Sequence, residues 1–377
     1  MTGRAIPAAP VIIGQMDAPA IIPKKSGGFN AAAHGLRGLA AVFVMLAHII
    51  GGTAEHIYPH VKSYVQWVRY PWNFGTFGVE IFFVISGYVI LQSALKYNLK
   101  EFGLRRFVRI YPLFFALSLL FIALNFVTNA YKELNNVETI VSGLLFINLF
   151  TGTEQLTPNA WSLSYEACFY VLTALIVTFA YKRRNMLLGA LAVMLAIAFL
   201  IAFPITVYFL IGVAMRLLAA DEKTATPATW GMELVSFVLM VASASQTHLG
   251  YTAWDQFGTP AVPMILLSIT AYFYFALRPG SLTSRALGGQ PFRYFGDVSY
   301  SLYLVHPFPY FLMRMIFVKM GWFTGNIPLS MTAFGTAVVS TSLVATHFIY
   351  RTLERGPYEA MFHQRIYHDK RRKAAAS

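Results

Sequence analysis

Ten apolar segments, at about residues 33–51, 74–95, 110–130, 161–181, 186–202, 204–219, 230–247, 258–277, 296–318 and 330–350, constrain this chain more than any other feature. Several are near the roughly twenty residues that a helix needs to cross the hydrocarbon of a bilayer. In lipid every backbone N–H and C=O must be satisfied within the segment, which favours helices. Composition agrees: 57% of the 377 residues are hydrophobic and only 12% are charged, about half the charge of a soluble domain. The expected fold class is all-α, a polytopic membrane protein with about ten transmembrane helices around a central polar cavity or pore. Segments 186–202 and 204–219 are short and divided by Pro204, so they read as a tight helical hairpin.

Charge orients the bundle. The chain carries 29 Lys+Arg against 16 Asp+Glu. With the N-terminus in the cytoplasm, 24 of the 29 cations fall in cytoplasmic segments, and only Lys62, Arg69, Lys132, Arg314 and Lys319 fall on the outer half. That is the positive-inside pattern, and it accounts for the excess of +13 without nucleic acid. Both termini are expected in the cytoplasm. Residues 1–29, rich in Ala, Pro and Gly, read as a disordered tail without the apolar core of a signal peptide. Residues 30–357 form the membrane domain. Residues 358–377, ending HDKRRKAAAS, read as a basic tail facing solvent or lipid headgroups. The longest outer loop, 131–160, contains VETIVSGLLFINLF (137–150), an interfacial or re-entrant helix. The one cysteine, Cys168, excludes an internal disulfide and fits as a small hydrophobe.

Ionisable residues inside such segments are costly and mark function or pairing. In HGLRGLAAVFVMLAHII (34–50), Arg37 and His48 are eleven residues apart. That is about 16 Å and nearly three whole turns, so they share one helical face. Glu80 lies near the outer end of FGTFGVEIFFVISGYVI (74–90), either a site carboxylate or half of a structural ion pair, for instance with Arg69. Ser162, Glu166, Tyr170 and Thr173 form one polar stripe, and Ser299, Tyr303, His306, Tyr310 and Arg314 form another. Pro307 and Pro309 predict a kink in the second. Arg105, Arg106 and Arg109 open a helix on the inner side. Topology alone explains them, and so does a phosphate-binding cluster. His56 and His60 lack further ligands nearby, and no metal is expected.

Four stretches together resemble the acyltransferase-3 family of membrane acyltransferases: the Arg37-x10-His48 pattern, FGVEIFFVISGYVI, AWSLSYEACFYV and SYSLYLVHP. RRFVRIYPLF and LERGP (353–357) add to them. The resemblance implies transfer of an acyl group, most often acetyl from cytoplasmic acetyl-CoA, to a sugar hydroxyl of a glycan or lipid-linked saccharide at the outer face of a bacterial inner membrane. It implies a catalytic role for His48 and an essential one for Arg37. The chain reads as the stand-alone form. On this reading His48 is a general base, oriented by Glu166 or failing that by Glu80. Tyr303 and His306 would steady the oxyanion. Arg37, Arg105, Arg106 and Arg109 would hold the CoA phosphates. An acetyl-His48 intermediate is the competing route. A transporter for a polysaccharide precursor or acylated product is the competing function, since intramembrane His and Glu also suit proton coupling. Membrane lipid is the remaining partner.

Overall fold

The computed structural model describes residues 29–157, 159–247 and 253–363, and these contain helices and connecting segments but no strand. The N-terminal tail, apart from Phe29, and the C-terminal tail beyond residue 363 lie outside the described residues.

Helix α1 (Ala31–His56) starts where the Asn30 side chain accepts the Ala33 N–H at 3.0 Å. Helices α2 (Lys62–Thr76) and α3 (Gly78–Lys96) follow as one 35-residue passage. Helix α4 (Leu99–Thr128) is capped by Asn98 and stops at left-handed Asn129. Residues 137–150 form not one helix but two short ones, α5 (Val137–Leu144) and a single turn at Asn148–Thr151, broken at Phe146 with φ of 58°. Then come α6 (Trp161–Ile176), α7 (Met186–Ala202), α8 (Val207–Leu217), α9 (Pro227–Gln246), α10 (Ala261–Ala276), α11 (Gln290–Val305), α12 (Pro307–Lys319), α13 (Ile327–Ile349) and α14 (Gly356–Phe362).

All ten apolar segments are helical, but the count of ten spans is not reached. Among the described residues six helices are long and apolar enough to cross a membrane, or up to eight if each bent pair is one span. The shortfall is one of length. Helix α10 has only 16 residues. The pair around Pro204 turns through 119°, with the Pro204–Thr206 turn joining α7 to α8. The kink expected at Pro307 is present, a 56° bend with His306 at the break between α11 and α12. Residues 62–73, which the sequence reading left outside the apolar segments on the outer side, belong to helix α2.

Hydrogen bonds between chain turns define two ends of the bundle. At one end Asn30 bonds the Leu277 carbonyl (2.9 Å), His34 the Arg293 carbonyl (3.0 Å), Lys182 the Ala94 carbonyl (2.7 Å) and Arg105 the Tyr358 hydroxyl (3.2 Å). These are the segments that carry most of the cations, and we call this the basic end. At the far end Tyr58 bonds the Thr324 carbonyl (3.0 Å), Asn73 the Ser245 carbonyl (2.9 Å) and Trp254 the Ile201 carbonyl (2.7 Å).

The contact that positions the site is the packing of α1 against α11. They cross at Gly38 and Gly296, where a Cβ on Gly38 would stand 2.6 Å from the Gly296 nitrogen. Only glycine permits so close an approach. Both helices run from the basic end to the far end. Ten residues beyond the crossing α1 carries His48, and ten residues beyond it α11 ends at His306. Equal offsets of about 15 Å bring the two imidazoles level.

Candidate active site

A cavity of about 180 Å³ opens toward the far end, and His48 and His306 line it together with Trp72, Tyr310, Arg314 and Glu55. Its space is made one turn beyond His48. A Cβ on Gly52 would overlap the Tyr310 hydroxyl, and a Cβ on Gly51 would overlap the Trp72 ring. Trp72 stands edge-on to His48 with ring centroids 5.8 Å apart.

The two histidines have their tautomers set by the backbone. His48 Nδ1 lies 2.8 Å from the Val44 carbonyl oxygen, and His306 Nδ1 lies 3.0 Å from that of Leu302. A carbonyl only accepts, so each Nδ1 carries its hydrogen and each neutral ring keeps a lone pair on Nε2. His306 Nε2 points that lone pair at His48 Nδ1, 3.4 Å away. His48 Nε2 makes no hydrogen bond among the described residues and is left as the basic atom. The ring is thus a base at one nitrogen, held by two acceptors at the other.

The carboxylates expected to orient His48 are elsewhere. Glu166 Oε1 accepts from Ser86 Oγ (2.5 Å) and from the Tyr170 hydroxyl, with no imidazole in reach. The reason is register. Ser162 meets Tyr303 at 2.9 Å, one turn before His306 in α11, and Glu166 is one turn deeper, toward the basic end. Glu80 is buried, its Oε2 is without a partner, and no hydrogen bond joins it to His48 among the described residues. The ion pair with Arg69 is not formed, because Arg69 donates to the Gln246 carbonyl at 3.5 Å. Tyr303 is not free for an oxyanion: its hydroxyl donates to the Asn159 carbonyl (2.6 Å), and Asn159 Nδ2 donates back to the Tyr303 carbonyl. Tyr303 therefore ties the entry to α6 against α11. His306 does enter the site, as the acceptor beside His48 rather than as an oxyanion donor.

Toward the basic end the polar column continues. Ser301 donates to Glu354 Oε2 at 2.6 Å, and buried Glu354 faces the charges of Arg109 and Arg37. The four arginines expected to bind phosphate are not equivalent. Arg105 is engaged by Glu101 (2.9 Å), by Tyr358 and by the rings of Tyr97 and Phe362, each 4.4 Å away. It pins α14 to α4. Arg106 donates from Nη2 to Ser93 (2.9 Å), but its Nε is buried without a partner, and the like charge of Arg109 acts on it. Such an orphaned donor beside a second cation fits an anionic ligand.

Sequence reasoning missed Trp72, because it lies outside the apolar segments, and missed Glu55 and Gly52, which matter only through the cavity. The pairing of His48 with His306 had a signal: both follow a glycine by ten residues in segments running the same way.

The chain matches the acyltransferase domain family over residues 30–347. It is 26% identical over 372 residues to O-acetyltransferase OatA of Staphylococcus aureus, which covers 85% of this chain and 56% of that protein. It is 32% identical over 126 residues to an uncharacterized protein of Haemophilus influenzae, covering 28% of this chain and 50% of that one. The chain thus spans about half the length of the curated relatives it matches. No solved structure matches it. With apolar helices long enough to cross a membrane and a match running through His48, Glu166 and His306, this multi-pass helical chain belongs to the acyltransferase domain family.

Proposed function

We propose that this protein is an O-acyltransferase of a bacterial inner membrane that moves an acetyl group from cytoplasmic acetyl-CoA to a sugar hydroxyl of a glycan or lipid-linked saccharide at the outer face. Both termini are then cytoplasmic and the basic end faces the donor. Family membership and the likeness to an O-acetyltransferase support acyl transfer. The observation that carries the reading is the His48–His306 pair, with His48 Nε2 unspent in a far-end cavity.

His48 Nε2 takes the proton of the acceptor hydroxyl as that oxygen attacks the thioester carbonyl. The imidazolium so formed keeps its Nδ1–H on the Val44 carbonyl and on His306 Nε2, which stabilise the charge. When the tetrahedral intermediate collapses and the C–S bond breaks, His48 returns the proton to the thiolate that leaves. Arg106 and Arg109, with Arg37, hold phosphate groups of the donor at the basic end. Arg105 is left out of that set. Between the two ends stand the buried polar residues Glu354, Ser301, Glu166, Tyr170 and Tyr303, hydrogen-bonded within the protein, and a slim thioester arm would have to pass among them to reach His48.

The test uses purified full-length protein in liposomes with radiolabelled acetyl-CoA and saccharide released from a deletion strain. Label is expected on the saccharide, with none on protein when the acceptor is left out. Label on the protein that His48→Ala removes would replace the direct route by an acetyl-His48 intermediate. Movement of saccharide across the liposome with no acetyl transferred would make the chain a transporter.

A further inference from the structure

Five cations lie on the far half of the chain, and four of them, Lys62, Arg69, Lys132 and Lys319, are exposed. Arg314 alone among these turns inward and lines the cavity that His48 and His306 line. Its Nη1 is buried with no hydrogen-bond partner. No carboxylate among the described residues comes within 4.0 Å of it. The neighbouring Tyr310 hydroxyl feels its charge and a side-chain interaction with it, although the two form no hydrogen bond of normal geometry and the hydroxyl is buried. A guanidinium nitrogen left unspent beside a cavity is costly unless a ligand takes it up.

Placement points the same way. His306, Tyr310 and Arg314 follow one another at four-residue steps, on one face of α12 with His306 at its start. Long helical side chains lean toward the helix N-terminus, here toward His306. The guanidinium accordingly sits over Tyr310 and Phe311, 5.5 and 5.1 Å from their rings. With this aromatic floor on one side, the guanidinium stands at the wall of the cavity. Glu55 stands exposed at the same mouth, an acceptor-only group suited to a sugar hydroxyl. At about 180 Å³ the space is below the roughly 300–1,000 Å³ of drug-sized pockets, a size for one sugar ring within an open mouth.

We propose that Arg314 binds an anionic group of the acceptor, a carboxylate or phosphate carried on or beside the ring being acylated, so that the acceptor is an acidic saccharide. This rests on the reading of the cavity as the acceptor pocket. Tyr310 donates its hydroxyl to the same anion.

The test measures binding without donor, so that it stands apart from transfer. Full-length wild-type protein and the variants Arg314→Gln and Arg314→Lys are titrated with three pools of envelope saccharide from a deletion strain. One is native, one has its carboxylates reduced to alcohols, and one is dephosphorylated. Wild type should hold the native pool roughly 10- to 100-fold tighter than whichever treated pool has lost the recognised anion, and that pool tells carboxylate from phosphate. Arg314→Gln should bind all three alike, and Arg314→Lys should keep part of the preference through charge alone. Equal binding of the three pools by wild type, or an undiminished preference in Arg314→Gln, would overturn the proposal. Binding of the acid without acetyl transfer would instead count against the acyltransferase reading.

Discussion

At the basic end Arg105 has a carboxylate, a hydroxyl and two rings around its guanidinium. At the far end Arg314 Nη1 and Tyr310 Oη are buried with no hydrogen-bond partner. Both arginines sit in an aromatic setting, and sequence does not tell which guanidinium the fold itself engages. The difference is what the neighbouring chain supplies. Helix α14 folds back over Arg105, whereas Arg314 meets only the rings of its own helix and the Tyr310 hydroxyl, with no carboxylate among the described residues within 4.0 Å. A spent guanidinium holds the fold together, while an unspent one is available to a ligand, and the same contrast separates Arg105 from Arg106 one residue away.

The largest effect expected is at His48. His48→Ala removes the basic atom of the far-end cavity, and transfer should fall by roughly 10²–10⁴-fold while CoA binding at the basic end is unchanged. Measuring both in one preparation checks the separation of the ends. A folded variant that transfers acetyl at the wild-type rate would remove His48 from the chemistry. His306→Ala should cost less, roughly 10- to 100-fold in kcat, with the donor KM unmoved. His306→Gln, whose side-chain oxygen can accept from His48 Nδ1, should recover part of the loss. If Gln and Ala behave alike, His306 only fills space.

The comparison of neighbouring arginines gives the next effect. Arg106→Lys keeps charge but loses the fork, and CoA should bind roughly tenfold more weakly. Arg105→Lys should leave CoA affinity within about twofold. Its cost appears instead in the attachment of α14, read as faster hydrogen exchange at residues 356–362. CoA affinity that falls equally in both would return Arg105 to the donor site.

How much of this was legible in the sequence follows from the range of each interaction. Helices and their polar stripes depend on residues three and four apart, so the ten apolar segments and the kink at Pro307 were readable. The match of His48 to a partner depends on helix registers, set by glycine crossings that involve residues about 258 apart in the chain. Glu166 was expected at His48 because each lies near the outer end of its own helix. It missed because α6 meets α11 at Ser162, which lowers Glu166 by a further turn. Whether a cation is spent or free depends on every neighbour at once. That is why Arg105 and Arg106 looked alike until packing was known.

The smallest effect expected is also the sharpest test of the far-end cavity. Gly52 is one turn past His48, and a Cβ there would overlap the Tyr310 hydroxyl. Gly52→Ala forces that hydroxyl aside and narrows the space an acceptor enters, without touching either imidazole. Overpacking of this kind costs on the order of 1 kcal/mol, so the KM for acceptor should rise roughly fivefold with CoA affinity unchanged. The clash is with one oxygen atom, which makes the double variant informative. Adding Tyr310→Phe removes that oxygen and opens room for the new methyl group, so the pair should be less impaired than the sum of the single variants. If the two substitutions simply add, the Gly52 effect does not pass through Tyr310, and the cavity is not bounded there as the packing requires.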